Sequence, residues 1–183
     1  MTPWITKPVP FNIGQGAAAG AAVAVNYYTP PRDTDGHDFA GNNDIFGTRI
    51  VSASSVLVGF TIASMSAFLK KVGTPTGDII FGVFNNDGTT AKTLKTLDIT
   101  TLTTSSTEYT TDVTASPHTL TNGQCVGCRY VGSGEVRIMS GYSSGTTPTA
   151  FNDGYQSWSK WDDSDSAWED TDNTLALAGY IND

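Results

Sequence analysis

Short runs of alternating apolar and polar residues, divided by turn signals, dominate the chain after about residue 32. Residues 55–64 (SVLVGFTIAS) predict a strand with Val56, Val58, Phe60 and Ile62 on one face. Residues 78–84 (DIIFGVF) carry apolar side chains at both alternating sets of positions, which predicts a strand covered on both faces.

Further strands are predicted at residues 107–114, 124–131, 135–142 and 174–181. NNDGTT at 85–90 predicts a hairpin, and Asn122-Gly123 a second turn, because Asn, Asp and Gly tolerate the positive φ of tight turns. Nine or ten short strands between about residues 46 and 181, with no helical period between them, predict an all-β fold. We expect an antiparallel β-sandwich of the jelly-roll type, formed by residues 33–183 as one domain.

Residues 1–32 have a different composition and predict an extended N-terminal arm. Pro3, Pro8, Pro10, Pro30 and Pro31 bracket an Ala/Gly run, and proline is excluded from central strands and helix interiors. Ala and Gly allow close backbone approach, so the arm either adds as a strand to the sheet edge of a neighbouring subunit or folds back on its own domain. The residues expected to make these assembly contacts are Trp4, Ile5, Phe11, Ile13, Ala22, Val23 and Val25.

Three segments of the chain resemble jelly-roll modules of carbohydrate-binding proteins and of phage and archaeal-virus structural proteins. They are FLKKVGTPTGDIIFGVFNNDG, TLDITTLTTSSTEYTTDV and LTNGQCVGCRYVG. A K-x-G-x-P-T-G turn is matched by Lys71, Gly73, Pro75, Thr76 and Gly77, and a late tryptophan by Trp158. The resemblance spans roughly residues 55–180 and implies architecture more firmly than activity.

Charge and composition exclude several classes of protein. The 183 residues carry 10 basic and 18 acidic side chains, a net charge of −8, which argues against a nucleic-acid partner. The most apolar stretch, residues 16–25, is about half the length of a membrane span, so none is expected. One Lys and two prolines precede that stretch, and no cleaved signal peptide is expected.

Catalytic chemistry finds little support in the sequence, and we expect no enzyme. His37 and His118 lie far apart, and both fall in predicted turns or strand edges. Cys125 and Cys128 fall in a predicted strand, where positions i and i+3 point to opposite faces, so we expect two reduced thiols, one of them in the core.

Acidic loops are the candidate metal sites. Calcium takes six to eight oxygen ligands, and closely spaced aspartates supply them. The alternative is a solvated acidic loop without an ion. The candidate calcium ligands are Asp33, Asp35, Asp38, Asp162, Asp163, Asp165, Glu169, Asp170 and Asp172.

Aromatic residues accompany the second acidic loop and suggest a glycan site. Trp and Tyr beside Asp and Asn stack sugar rings and bind hydroxyl groups. The candidates are Tyr142, Tyr155, Trp161 and Trp168, of which Trp161 and Trp168 bracket the acidic loop and are expected to be exposed. Trp158 is expected in the core.

The sequence as a whole favours a non-enzymatic virion structural protein, a capsid-decorating or surface subunit that self-assembles through its arm. The acidity agrees with an outward-facing place on a virion surface or in an extracellular assembly, since shells that line a genome are usually basic. Two alternatives remain open: a glycan-binding attachment module, and a subunit of an extracellular filament or tubule joined by donated strands.

Overall fold

The computed structural model describes residues 25–26, 36–39, 42–55, 57–62, 64–112, 117–139, 156–172 and 180–181. Those residues form twelve β-strands and a single 3₁₀ turn, Ile99–Thr101, with no α-helix among them. The strands are β1 (Val25–Asn26), β2 (Gly36–Asp38), β3 (Ile45–Ile50), β4 (Thr61–Ile62), β5 (Ser64–Phe84), β6 (Thr90–Asp98), β7 (Thr107–Asp112), β8 (His118–Thr119), β9 (Cys125–Met139), β10 (Gln156–Asp162), β11 (Ala167–Asp172) and β12 (Tyr180–Ile181). Every described pairing is antiparallel, which confirms the predicted all-β class.

Two long strands, β5 and β9, pair with each other and run through both layers of the fold. Both layers belong to one eight-stranded sheet. One half of each long strand lies in a six-stranded layer with the order β11-β10-β3-β9-β5-β6. Their other half lies in a four-stranded layer, in which β2 pairs with β9 and β7 pairs with β5. Two smaller pairs, β1 with β12 and β4 with β8, form separate two-stranded sheets.

The long β5–β9 pair folds back on itself. Lys95 pairs with Phe81 in the six-stranded layer, and Thr110 pairs with Ser66 in the four-stranded layer. In a straight strand, Phe81 and Ser66 would lie roughly 50 Å apart. Yet Lys95 Nζ donates to the backbone oxygen of Thr110 at 3.2 Å, so the two layers face each other.

The fold-back occurs where the pairing between β5 and β9 shifts register, between Val72 and Thr76. Three residues of β5 stand there opposite the single Gly134 of β9, and Gly73, Gly77 and Gly134 all have positive φ. Positive φ is costly for residues with a Cβ, so glycine makes the sharp bend accessible. The K-x-G-x-P-T-G segment is therefore a bend within one strand.

One hydrophobic core fills the space between the layers. Met65, Ala67 and Leu69 from the first half of β5 belong to the same cluster as Phe81 and its neighbours from the second half. Full burial of an Ile, Leu or Phe side chain contributes about 1.5–3 kcal/mol, so this cluster provides the main driving force for folding. Its fully buried members include Ile50, Ile62, Leu69, Ile79, Phe81, Val83, Ile99, Leu120, Cys128, Val136 and Ile138.

The turns predicted from the sequence are confirmed, whereas the predicted strands are partly wrong. The hairpin forms as expected, with loop residues Asn85–Thr89 between β5 and β6 and a positive φ of 75° at Gly88. The turn at Asn122-Gly123 also forms. The two strands predicted within residues 124–142 join into the single β9.

The strand predicted over residues 55–64 is wrong for residues 57–59, which form a turn, leaving only β4 and the start of β5. The turn is stabilised by hydrogen bonds from the backbone N–H groups of Leu57 to Ser55 Oγ and of Val58 to Ser55 O. Gly59, with φ of 84°, ends it in a conformation outside the β region.

Candidate functional site

The outer face of the six-stranded layer, turned away from the core, carries a second hydrophobic cluster. Alternation along β3 puts Phe46 and Ile50 in the core and Ile45 and Arg49 on the outer face. Ile45, Phe84 and Trp161 form this second cluster, with the partly buried Ile80 and Trp168 packed against it.

A row of three glycines crosses the outer face beside this cluster. Gly47, Gly127 and Gly82 are direct neighbours in register on β3, β9 and β5. A Cβ on Gly127 would lie 2.8 Å from the Cα of Gly47, so these two strands approach too closely for any side chain. All three glycines are nevertheless buried.

The hairpin loop, residues Asn85–Thr89, is held against this face by hydrogen bonds from three other strands. Arg49 Nη2 donates to Asn86 Oδ1 at 2.6 Å, and Trp168 Nε1 donates to the Asn86 backbone oxygen at 2.9 Å. Arg129 donates to the backbone oxygen of Gly88 and, at 2.9 Å, to Thr90 Oγ1. We call Arg49, Arg129, Trp161 and Trp168, together with this loop, the outer-face clamp.

Both arginines of the outer-face clamp also stack on aromatic rings. The Arg49 Cζ lies 5.5 Å from the ring centroid of Trp168, and the Arg129 Cζ lies 4.8 Å from that of Phe84. Contacts of this kind contribute about 0.5–2 kcal/mol each. Burial lowers the pKa of Arg129, and the negative charge of Asp163 opposes that shift.

The burial of Trp161 and Trp168 differs from the exposure expected for a sugar-stacking site. Trp161 is only 7% exposed, so the expectation of an exposed Trp161 is wrong. Its ring packs edge-on against Trp168, with 5.4 Å between centroids, and Gly88 lies directly over it. Trp168 is partly buried, and its indole nitrogen is already bonded to the loop. The hairpin loop therefore covers these two side chains on the outer face.

The acidic turn between β10 and β11 is closed by its own hydrogen bonds. Asp162 accepts from both the backbone N–H and the hydroxyl of Ser164, and Lys160 Nζ donates to it at 2.7 Å. The hydrogen bond from Lys160, followed by those from Ser164, holds the pKa of the Asp162 carboxyl far below its usual range. Asp162 therefore acts as a structural acceptor in this turn.

Lys160 also lies 3.7 Å from the carboxylate of Asp44, which is 4% exposed. Burial disfavours the charge on Lys160, but its hydrogen bond to Asp162 and the nearby Asp44 outweigh burial and raise the pKa of Lys160. The ammonium group thus takes the position between carboxylates that a cation would otherwise occupy.

Those of the other predicted calcium ligands whose side chains the structure describes do not converge on one point. Asp163 Oδ2 accepts a long hydrogen bond from Asn43, at 3.5 Å, whereas Asp165 and Glu169 are exposed. Asp38 is on β2 and pairs with Arg137 Nε at 2.6 Å. Within the described ranges, no group of three or more His, Cys, Asp or Glu side chains is arranged to hold a metal ion.

Several candidates lie outside the residues whose structure is described. For the metal site these are Asp33 and Asp35, and for the glycan site Tyr142 and Tyr155. Asp170 and Asp172 are placed only as backbone positions on β11. The arm residues Trp4, Ile5, Phe11, Ile13, Ala22 and Val23 also lie outside.

One part of the predicted arm does lie in a described strand. Val25 pairs with Ile181, and Asn26 with Tyr180, so β1 and β12 form an antiparallel pair within the chain. This pair joins a segment near the start of the sequence to one near its end.

The two cysteine thiols are buried, and His118 belongs to a polar network. Cys125 and Cys128 are both free and fully buried, and burial raises the pKa of Cys128. Cys128 belongs to the core, as expected for one of the two, while Cys125 is on the outer face beside Gly47. His118 Nε2 lies 3.2 Å from Gln124 Oε1, in a polar network that continues from Gln124 Nε2 to Asn85.

Sequence reasoning missed Arg49, Arg129 and Asn86. A signal was present, since each arginine stands alone in an otherwise apolar or small-residue strand, IFGTRI and CVGCRYV. An isolated charge at an outward position of such a strand indicates a specific partner across the sheet.

Comparison of the chain with known protein families, with curated proteins and with solved structures finds no match. Among the described residues, no helix has the length and apolar character needed to cross a membrane.

Proposed function

We propose that this protein is a non-enzymatic structural subunit of a virion, a jelly-roll β-sandwich that decorates or forms the outer surface and assembles through its N-terminal arm. The folded-back antiparallel sheet with two layers around one core supports the sandwich part of this proposal. The net charge of −8 supports an outward-facing position rather than contact with a genome.

The observation that carries the proposal is the pairing of β1 with β12. Val25 and Asn26 use their backbone to bind a segment more than 150 residues later in the chain. The same antiparallel pairing, formed between two copies, joins them without any new type of contact. Strand exchange therefore needs only that β1 reach the β12 of a neighbour.

Removal of the arm tests this proposal. We expect the full chain to form a discrete oligomer, and the chain lacking residues 1–28 to keep its β-sheet circular dichroism but to run as a monomer in light scattering. The double variant Val25→Pro/Asn26→Pro removes the backbone donors of β1 and should weaken assembly, because proline has no N–H. Val25→Ala/Asn26→Ala keeps those donors and is the matched control. A truncated chain that assembles like the full one would contradict the proposal.

Experiments on the same full-length protein distinguish the two alternative functions from the proposed one. A filament or tubule uses the same arm but gives open polymers instead of closed particles in electron micrographs. The glycan-binding alternative has less support, because the buried Trp161 is not available to stack on a sugar ring. A monomeric full chain that binds to a glycan array would favour it.

A further inference from the structure

The two sides of the folded sheet are closed to different degrees. On one side the end strands β6 and β7 lie together, and Lys95 donates to the backbone oxygen of Thr110 on β7. Lys71 Nζ likewise donates to the Thr100 backbone oxygen at 2.6 Å in the connection between these strands. On the other side the six-stranded layer ends at β11, and within the described part of the chain no strand pairs with the second edge of β11.

An unpaired edge strand presents backbone N–H and C=O groups that bind an incoming strand. The charge of β11 selects among such strands. Its six residues, AWEDTD, contain Glu169, Asp170 and Asp172 and no base, and the exposed Asp165 lies in the turn before it. A second acidic strand would be repelled, and a basic or neutral one favoured.

The arm has the opposite charge. Residues 1–32 contain Lys7 and Arg32 and no acid, and the first acidic residue of the chain is Asp33. In a chain of net charge −8, the side chains of this segment thus carry a net positive charge.

The segment 4–13 (WITKPVPFNI) also has the pattern of an added edge strand. If it is extended, Ile5, Val9, Phe11 and Ile13 share one face with Lys7, so that face is mostly apolar. Pro8 and Pro10 are two residues apart, and backbone N–H groups alternate between the two edges of a strand, so both prolines remove donors from the same edge. The other edge keeps its donors at residues 5, 7, 9, 11 and 13.

We propose that residues 4–13 of one copy add as a strand to the free edge of β11 in a second copy. This inference rests on the proposed arm-mediated assembly and names the donated segment and its acceptor. The N–H groups of the odd-numbered residues pair with β11, and Lys7 lies near the carboxylates of that strand. Pro8 and Pro10 face away from β11 and prevent a further strand from adding, so the assembly ends at one donated strand per edge.

Cross-linking between differently tagged, co-expressed chains tests the location. One chain carries Lys7→Cys, Val9→Cys or Phe11→Cys, and the other carries Glu169→Cys or, for the opposite face of β11, Asp170→Cys. A short bis-maleimide should then give a mixed-chain dimer. Cys125 and Cys128 are fully buried and do not react in the folded protein. The matched control is Thr96→Cys, an exposed position on β6, the end strand that lies against β7, which should give no cross-link.

Charge reversal provides a second measurement on the otherwise unmodified full chain. Glu169→Lys combined with Asp172→Lys should weaken association by roughly fivefold, since it turns favourable cross-strand pairs into repulsive ones. Thr93→Lys combined with Thr96→Lys, on β6, adds two positive charges at the other edge and should leave association unchanged.

The outcomes of these experiments test the β11 acceptor separately from the arm-mediated assembly. A cross-link to Thr96→Cys instead of β11, or no cross-link to β11 while arm deletion still abolishes assembly, would overturn the acceptor and leave the proposed function standing. A cross-link that forms only when both cysteines are in one chain would overturn the second-copy assignment. Normal assembly without residues 1–28 would instead refute the proposed function itself.

Discussion

Replacing Gly88 with alanine tests whether the hairpin loop is held in place by direct contact with Trp161. Gly88 has a φ of 75°, and a Cβ built there would lie 2.6 Å from Cζ2 and 2.7 Å from Nε1 of the Trp161 ring. Gly59 provides the matched control, because its φ is 84° and a Cβ there would meet nothing within 4 Å. Both variants place a residue with a Cβ in the same left-handed backbone conformation, but only Gly88→Ala forces the loop away from the sheet.

The expected cost follows from these contacts. Left-handed backbone in a residue with a Cβ costs about 1 kcal/mol, which applies to both variants. Lifting the loop also weakens the two hydrogen bonds that Asn86 accepts from Arg49 and Trp168, at about 1 kcal/mol each. We therefore expect Gly88→Ala to lose about 3 kcal/mol of unfolding free energy and Gly59→Ala about 1 kcal/mol. At this chain length those losses lower Tm by about 9 °C and about 3 °C.

Urea titration followed by tryptophan fluorescence, supported by calorimetric Tm values, measures the difference. In a Trp161→Leu background, Gly88→Ala should cost no more than Gly59→Ala, because the smaller side chain leaves room for the new methyl group. Equal destabilisation by the two alanines in the wild-type background would refute the idea that the loop is pressed onto Trp161.

The acidic turn gives two further predictions. The pKa of Asp162 is depressed in the folded state, first by Lys160 and then by Ser164, so its contribution to stability is present above the unfolded value of about 3.9 and is lost as the pH falls toward the folded value. Urea midpoints between about pH 5 and pH 2 should therefore fall more steeply for the wild type than for Asp162→Asn, with Asp165→Asn as the exposed control; identical pH slopes would exclude this role. We also expect equal Tm in millimolar Ca²⁺ and in EDTA at matched ionic strength, because Lys160 already lies between Asp44 and Asp162. A higher Tm in Ca²⁺ than in EDTA would identify a calcium site instead, if Asp163→Asn and Asp165→Asn remove the difference.

Local patterns were sufficient where a feature depends on neighbouring residues. The NNDGTT motif predicted the hairpin, because positive φ at Gly88 is a property of the residue itself. The doubly apolar segment 78–84 predicted a strand covered on both faces, and Phe81 and Phe84 are indeed fully buried on opposite sides. The alternation also predicted that one of the two thiols lies in the core, and the structure identifies it as Cys128.

Long-range packing decided the features that the pattern missed. Nothing local distinguishes a turn at Gly73–Gly77 from a bend within one strand, because the outcome depends on β9 pairing on both sides of it. Exposure of Trp161 likewise depended on a loop more than 70 residues earlier folding over the sheet.

The sequence by itself determined that this protein is built from antiparallel strands, where two of its tight turns lie, and which residues carry its acidic charge. Only the tertiary structure decided that the sheet folds back into two layers, that Arg49 and Arg129 hold the hairpin on the outer face, and that Lys160 lies between two carboxylates. Side-chain alternation and turn preferences act over a few residues, so they can be read along the chain. Which face is covered, and which charges meet, is set by strand pairings between residues far apart in sequence.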